Sequence, residues 1–417
     1  MIRLRQGYGG QGVLIAIALL VFAATANAQP VSYTGFLEGR GFLFAQEAPN
    51  DAERRMFDGL FRNELTIRAD WFSMVAGVDL RANSHDQVDD DWEIDYEDRG
   101  VLRPRLSLRR LVATVSHRAF TVDIGKQFIR WGRADIIYPT DRFAPRDYLN
   151  VIDSELLPVI AARASVQIGN ETLEGIWVPQ LTPTRLPLLN QRWVSLPPEV
   201  ASLTVVDGGS LLPDGAQLGA RWRHTGSRLE TAVSFFDGFN HLPDIVATVR
   251  PEVGEIDVLR VHPTIRMYGG DIAIPTPVVT LKAEVAFVTS PPQTSDEYVL
   301  YVVEVERQIG EWLLDVGYAG EVVREDRVDL SFAPDRGMAK SIIGRAGYTL
   351  DPQRTVIIEG AARQDGEGFY GKLEYSQSLS SRWRLTLTGV GLAGEEDDFL
   401  GQYHRNSYGA LSLRYSF

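Results

Sequence analysis

The chain has 417 residues, no cysteine and a formal net charge of −13, from 42 Lys plus Arg and 55 Asp plus Glu. Without cysteine it can form neither disulfides nor thiolate metal sites, and CxxCH haem attachment is excluded as well. The acidic balance argues against a protein that binds duplex nucleic acid, because such proteins need a clustered basic surface. A hydrophobic fraction of 44% is too high for a disordered chain.

The first 28 residues have the composition of a secretory signal peptide. Arg3 and Arg5 give a basic start, an apolar stretch follows from Val13 to Ala24, and Ala26-Asn27-Ala28 forms an A-x-A cleavage site. The apolar stretch is shorter than the roughly 20 residues that a membrane-spanning helix needs. We therefore predict cleavage after Ala28, with residues 29–417 as a single domain.

Beyond Ala28, segments of about ten residues alternate between apolar and polar side chains. In residues 61–71 the odd positions are apolar except for Asn63, and the even positions are polar. Residues 279–287 and 382–388 largely follow the same rule. A period of two predicts β-strands. Alternation alone does not distinguish a sandwich, a soluble barrel and a membrane barrel.

The connections between these segments fall into two sets that alternate along the chain. Short connections are predicted at residues 70–73, 116–119, 168–171, 225–228, 274–277, 308–311, 350–354 and 379–382. Mostly longer ones are predicted near 46–58, 84–103, 128–160, 181–214, 238–257, 290–297, 324–338, 365–368 and 393–402. Tight turns at one end and long loops at the other are typical of an outer-membrane barrel, whose short turns are periplasmic.

Nine hairpins predict an all-β, antiparallel, up-and-down transmembrane barrel of about 18 strands. The alternative count is 16, because Leu259 to Ile274 can be divided differently. Around Arg109 and Arg110 the alternation changes phase, as it does at a β-bulge.

The last segment carries a family resemblance. Leu411, Leu413, Tyr415 and Phe417 alternate with less apolar residues, and the chain ends on the aromatic one. This resembles the terminal strand of Gram-negative outer-membrane proteins, whose closing Phe is read by the barrel-assembly machinery. At 16 to 18 strands the chain resembles porins and substrate-selective channels, and GKQFIRWG at 125–132 is similar to a GRQ…WG stretch of some outer-membrane families. The resemblance implies the cell outer membrane, with its lipid and lipopolysaccharide, as the location.

In a water-filled barrel the inward side chains carry the function. The inferred registers point fourteen cations, Arg266 among them, and twelve anions, including Glu284, Glu304 and Asp315, into the lumen. This near balance predicts no strong ion preference from the wall alone. Seven of the cations form a candidate lumen ladder for a carboxylate or phosphate: Arg62, Arg68, Arg221, Arg223, Lys282, Arg382 and Arg384.

The loop near 128–160 is a candidate pore constriction. Its charged candidates are Arg130, Arg133, Asp135, Asp141, Arg142, Arg146, Asp147, Asp153 and Glu155. Aromatic and aliphatic residues lie between them, which makes the segment too apolar for a loop that only meets water. Folded into the lumen, its opposed charges would set a transverse field; folded over the barrel, it would be a cap fastened by Arg–Asp pairs. The sequence leaves both open.

Two further loops are distinctive. Leu181 to Asp214 is rich in proline and aliphatic residues, which is typical of a contact surface or of packing onto the barrel rim. Asp86 to Asp98 holds eight carboxylates in thirteen residues. They could recruit divalent cations that bridge to lipopolysaccharide, or form a solvated acidic loop.

No catalytic motif occurs: the six histidines form no HExxH, and neither GxSxG nor Walker A is present. We therefore predict no enzyme and no cofactor. The predicted function is a channel for passive diffusion of small hydrophilic or amphiphilic solutes. The alternatives are an export barrel for a polysaccharide or lipid, and a scaffold barrel that encloses a partner protein. A homo-oligomer or a periplasmic partner stays open.

Overall fold

The computed structural model describes residues 29–195, 203–330, 332–364 and 366–417. The predicted signal peptide at 1–28 lies outside these residues, as does the segment 196–202 of the second long loop. The strands, in chain order, are β1 Gln29–Phe44, β2 Arg55–Arg68, β3 Phe72–Asn83, β4 Ile94–Asp95, β5 Leu106–His117, β6 Phe120–Gln127, β7 Arg146–Asp147, β8 Glu155–Leu156, β9 Val159–Ile168, β10 Glu171–Val178, β11 Thr204–Leu211, β12 Gln217–Thr225, β13 Glu230–Phe239, β14 Asp244–Arg250, β15 Glu255–Val261, β16 Thr264–Pro275, β17 Thr280–Thr289, β18 Glu297–Ile309, β19 Trp312–Glu325, β20 Ser341–Asp351, β21 Arg354–Arg363, β22 Gly368–Ser378, β23 Trp383–Gly394 and β24 Tyr408–Ser416. A helical turn α1 spans Pro334–Gly337, and a 3₁₀ helix spans Gly401–Asn406. Among these residues no helix is long and apolar enough to cross a membrane.

Eighteen of the described strands form one closed antiparallel barrel. Each pairs with the next barrel strand in the chain, and β1 pairs with β24. The strands outside the barrel wall are β4, β7, β8, β11, β14 and β15. Eight connections of two to four residues lie at one end and the long loops at the other. The predicted strand number and the predicted order of turns and loops are therefore confirmed.

The two ends of the described chain meet at the barrel seam. Gly35 and Phe417 exchange backbone hydrogen bonds, at 3.1 and 3.0 Å. The Phe417 ring stacks beside Phe61, with 6.0 Å between centroids. A Cβ on Gly35 would lie 2.7 Å from the Phe417 ring, so only glycine leaves room for the ring. Closure removes the exposed sheet edges that invite association.

The barrel wall is apolar outside and polar inside. On β17, Leu281 and Val285 point outward and are exposed, whereas Glu284 between them is 2% exposed. The same alternation exposes Val303 and Val305 of β18 and buries Glu304. The outward side chains suit a lipid environment, as in outer-membrane barrels.

The predicted phase change is a β-bulge at Arg109. Gly77 pairs with Arg110 and Val78 with Leu108, which leaves Arg109 without a cross-strand partner. The extra residue changes which positions point inward: Ser107 before the bulge and Val112 after it are both buried.

The segment Leu259 to Ile274, whose division the sequence left open, is split between two sheets. β15 ends at Val261 and belongs, with β11 and β14, to a three-stranded sheet made by two long loops. β16 begins at Thr264, so Arg266 lies on the outward face, where its Nε is 3.2 Å from Asp237, and not in the lumen as predicted. β15 alternates as a barrel strand does, and periodicity alone therefore could not separate it from the wall.

Candidate functional site in the barrel lumen

The segment 128–158, here called the lumen loop, joins β6 to β9 and is anchored to the inner wall. The N–H groups of Arg133 and Ala134 donate to Glu284 Oε2, at 2.7 and 3.0 Å. The N–H and the hydroxyl of Thr140 both donate to Glu284 Oε1, at 2.8 Å. Glu284 points inward from β17, which neighbours neither β6 nor β9 in the barrel. The loop therefore enters the lumen and does not lie over its mouth.

Glu284→Ala should release the lumen loop from the wall. Three backbone N–H groups would lose their acceptor, at about 1–3 kcal/mol each when they stay buried, so docking should weaken by about 3 kcal/mol or more. Faster amide hydrogen exchange at 133–140, with unchanged exchange in the barrel strands, would check this. Glu359→Ala, which removes a carboxylate on β21 that accepts from the Tyr370 hydroxyl, is the control; equal exchange in both variants would contradict the anchoring role.

Ion pairs extend this anchoring. Arg133 Nε lies 2.6 Å from Asp271 of β16, and its Nη1 lies 2.6 Å from Glu230 at the first position of β13. Asp135 is 2.6 Å from Lys282 Nζ. Glu230 is next to a short turn, so the loop reaches the half of the barrel that holds the short turns.

Apolar side chains fill the lumen behind these contacts. Residues of the loop and inward residues of the wall share one buried cluster: Ile129, Trp131, Ile137, Phe143, Val159, Ala161, Ile176, Val178, Phe236, Ile265, Met267, Ala286, Val288, Tyr298, Leu300, Ala319 and Ala339. Trp131 and Phe143 meet edge to face at 5.1 Å, and Phe143 meets Phe236 at 5.0 Å. The β9 to β19 side of the lumen is therefore closed to water by packed side chains.

The second half of the loop faces the opposite wall. The Tyr408 hydroxyl donates to Asp153 Oδ2 at 2.7 Å. Lys372 Nζ is 3.5 Å from Asp153 and Arg40 Nη1 is 3.9 Å from it. Asp153 thus lies between β1, β22 and β24.

Glu155 makes the corresponding contact to β2 and β3. It lies 3.2 Å from Arg62 and 2.7 Å from Arg81. Asp79 lies between the same two guanidinium groups, at 2.7 and 3.1 Å. Acidic and basic side chains therefore alternate across this part of the lumen.

A polar cavity of about 210 Å³ lies beside β22 to β24 and β1. Its lining includes Arg384, Arg414, Glu374, Glu38, Arg40 and Asp153. A narrower cavity of about 40 Å³ shares the last three residues and continues past Arg81 and Glu155 to Arg103 and Asn150. Because Glu38, Arg40 and Asp153 line both cavities, the two are adjacent, and together they are here called the polar passage.

The structure does not assemble the seven ladder residues into one surface. Arg62 pairs with Asp79 and Glu155, Arg221 with Asp271 at 2.6 Å, and Lys282 with Asp135 and Glu306. In the described part of the chain no carboxylate lies within 4.0 Å of the other four, which are Arg68, Arg223, Arg382 and Arg384. Of these four, only Arg384 lines the polar cavity.

Four of the predicted loop residues make contacts within the loop itself. Asp141 accepts hydrogen bonds from the N–H groups of Trp131 and Gly132, and Arg130 lies 3.4 Å from it. Arg142 donates to the Pro139 carbonyl at 2.8 Å, and Arg146 to the Ser154 hydroxyl at 3.3 Å. These contacts fix the loop's shape.

Asp147 connects three long loops. It lies 2.9 Å from Arg103 and 3.5 Å from Arg185, and Arg185 is 2.8 Å from Asp98 of the acidic loop. Burial raises the pKa of Asp147, but the two guanidinium groups outweigh it and hold the pKa below its usual range. Burial likewise opposes Lys126 and Arg185 at Asp98, where the cations prevail and the pKa is lowered. Asp98 thus forms buried salt bridges between loops, whereas Asp90 and Asp91 are exposed.

The apolar part of the second long loop packs into the barrel mouth. Trp193 is 2% exposed and meets Tyr403 edge to face at 5.6 Å. Phe42 and Phe44 of β1 belong to the same buried cluster. Up to Ser195 the structure therefore supports packing onto the rim and not an exposed contact surface.

The burial of His241 makes the stability of these loops depend on pH. It is 7% exposed, and its Nδ1 lies 2.8 Å from the Thr184 hydroxyl. Burial, and then the charge of Arg142, lower the pKa of His241 to about 3. An unfolded histidine titrates near 6.5, so the loops keep this contribution in full above about pH 6.5 and lose about 1.4 kcal/mol per pH unit as the pH falls from there toward 3.

Amide exchange at 182–186 should therefore be faster at pH 5 than at pH 7.5, after correction for intrinsic rates. His241→Gln should lose most of this pH dependence. An identical pH dependence in the variant would assign it to another group.

Sequence reasoning missed Glu38 and Arg40 on β1, and Asp271 on β16. In residues 36–44, Phe36, Phe42 and Phe44 point inward together with Glu38 and Arg40, so the inward face of β1 mixes aromatic and charged residues. The sequence pattern that could have identified this inward face is the set of small and apolar residues at the intervening positions 37, 39, 41 and 43. Asp271 was missed because its strand was placed in the wrong register.

An 18-strand closed barrel that is apolar outside, polar inside and crossed by an inward loop has the fold of porin-type barrels. The chain is similar in structure to Acinetobacter baumannii OccAB4, with a TM-score of 0.56 and 10% identity over 94% of this chain and 99% of that one. Pseudomonas aeruginosa OpdQ gives a TM-score of 0.55 and 12% identity, covering 93% and 98% of the two chains. A BenF-like porin from Pseudomonas fluorescens Pf-5 gives 0.55 and 12%, covering 94% and 98%. No family model and no curated relative matches the sequence. At these identities the likeness is one of fold.

Proposed function

We propose that this protein is a porin-like channel of the Gram-negative outer membrane, exported through its signal peptide, for passive diffusion of small hydrophilic or amphiphilic solutes. The polar passage beside β22 to β24 and β1 to β3 carries the proposal. The fold supports it, because the similar structures include a BenF-like porin. The closing Phe417 would be read by the barrel-assembly machinery, and outer-membrane lipid and lipopolysaccharide would surround the wall.

The constriction lies where Asp153 and Glu155 face Arg40, Arg81 and Lys372. Carboxylates on the loop and cations on the wall set a field across the passage. Their contacts with a solute are weak and replaceable, as conduction requires, because a solute that is held too tightly cannot leave. The other charged candidates of the lumen loop hold it in place.

Arg384 gives the passage a preference for anionic solutes. It lines the wider cavity, and no carboxylate lies within 4.0 Å of it in the described chain. A free guanidinium forms strong, bidentate hydrogen bonds with carboxylates and phosphates. Solutes that carry such a group should therefore pass better than neutral solutes of the same size.

Single-channel recording of refolded residues 29–417 in a planar bilayer tests the proposal. Steady openings under a salt gradient, with a reversal potential that shows anion preference, are the expected result. A fully folded barrel that never conducts would overturn it and would favour a scaffold barrel.

A further inference from the structure

Three carboxylates meet where the lumen loop touches β18 and β19. Oxygens of Asp135, Glu304 and Asp315 all lie within 4.8 Å of one another. Glu304 is 1% exposed and Asp315 is 6% exposed. Asp135 comes from the loop, so the group forms only when the loop is docked.

A neighbouring lysine neutralises this group only in part. Lys282 Nζ lies 2.6 Å from Asp135 and 2.8 Å from Glu306, so its charge is shared with a carboxylate outside the group. Across the described residues, no Lys, Arg or His nitrogen lies within 4.0 Å of Glu304 or Asp315. Arg345 is the cross-strand partner of Asp315 but lies beyond that distance.

Asp315 also has an unsatisfied oxygen. Its Oδ1 is fully buried and meets no hydrogen-bond donor among the described residues. Within the described chain, Glu304 accepts hydrogen bonds only from the Asp135 N–H, at 3.1 Å for the shorter one. Burying a carboxylate without a donor or a cation is costly, and such an orphan oxygen calls for a ligand.

We infer that Asp135, Glu304 and Asp315 bind a divalent cation, best Ca²⁺, which pins the lumen loop to the wall. Ca²⁺ prefers carboxylate oxygens at about 2.3–2.6 Å, which places ligands on opposite sides of the ion up to about 5 Å apart. The observed spread of 4.8 Å fits within that limit. Water molecules would complete the coordination. The site goes beyond the proposed transport function and does not depend on it.

Calorimetric titration of the refolded, EDTA-treated barrel with CaCl₂ tests the inference. Asp315→Asn, which keeps the shape of the side chain, should bind one Ca²⁺ fewer per chain than the original protein. Asp91→Asn, in the exposed acidic loop, is the control and should keep that Ca²⁺. Equal stoichiometry in the original protein and Asp315→Asn would overturn the inference and assign the ions to the acidic loop.

Terbium luminescence tests the location without depending on that variant. The Tyr138 hydroxyl donates to the Asp135 carbonyl at 2.7 Å, so its ring is close enough to sensitise Tb³⁺ at this site. Tyr138→Phe should lose much of the sensitised emission and keep the Ca²⁺ stoichiometry, and Ca²⁺ should displace Tb³⁺. If the folded barrel binds neither ion, the carboxylates hold protons instead and the inference fails. Glu304→Gln repeats the titration if Asp315→Asn does not fold.

Discussion

Replacing residues 135–153 with a short Gly-Ser linker should raise the single-channel conductance several-fold. The replacement removes Asp153, which lines both cavities of the passage. It also removes Ile137 and Phe143, which close the other side of the lumen. An open lumen of 18 strands is wide enough for an aqueous channel. The measurement is conductance in a planar bilayer, on barrels whose folding is verified by heat-modifiable mobility in gel electrophoresis.

The matched control places the same linker at the exposed segment 89–93 of the acidic loop. That change should leave conductance close to the original value, because the segment lies outside the passage lining near Arg40 and Asp153. A correctly folded barrel that lacks 135–153 yet conducts like the original would show that the lumen loop does not limit flow.

Arg384→Gln should move the reversal potential under a salt gradient toward cation preference, and Arg384→Glu should move it further. Arg384 lines the polar cavity without a carboxylate within 4.0 Å in the described chain, so its charge acts on passing ions and is not cancelled. Adding Arg382→Gln should enlarge the shift less, because Arg382 is not part of the cavity lining and its Nη1 donates to the Tyr415 hydroxyl at 3.2 Å. The effect should shrink at high salt, which screens the field.

Arg266→Gln is the control for charge alone. This arginine lies on the outward face, so removing its charge should leave the reversal potential unchanged. If Arg384→Gln and Arg266→Gln give the same potential, ions do not pass along β22 to β24.

The barrel could be predicted because its signals are local. A strand of about ten residues between a tight turn and a long loop repeats along the chain, and each repeat is read without knowing the rest of the structure. Even the bulge at Arg109 left a trace, since one extra residue shifts every following side chain to the other face. The strand 255–261 could not be placed in this way because the sheet made by the long loops alternates just as the wall does, and the predicted register of Arg266 was wrong for the same reason.

The lumen site was harder because its partners are distant in sequence. Glu284 lies about 150 residues from the N–H groups that donate to it. Nothing in the composition of either segment predicts that the two are in contact. For the same reason Arg62 and Lys282 looked like free ladder cations, although the loop supplies each with a carboxylate. Whether a side chain points inward follows from its odd or even position in the strand. Whether its charge is paired depends on where the loop folds.

The seam between β1 and β24 has a consequence for assembly. The first half of the lumen loop, up to Phe143, packs against strands between β9 and β19, none of which borders the seam, so this half can settle against a sheet that has not yet closed. The polar passage instead borders β22 to β24 and β1 to β3, the strands that the seam joins. Asp153 and Glu155, on the second half of the loop, contact strands on both sides of the seam, so the passage along which solutes would travel is complete only once β1 and β24 have paired.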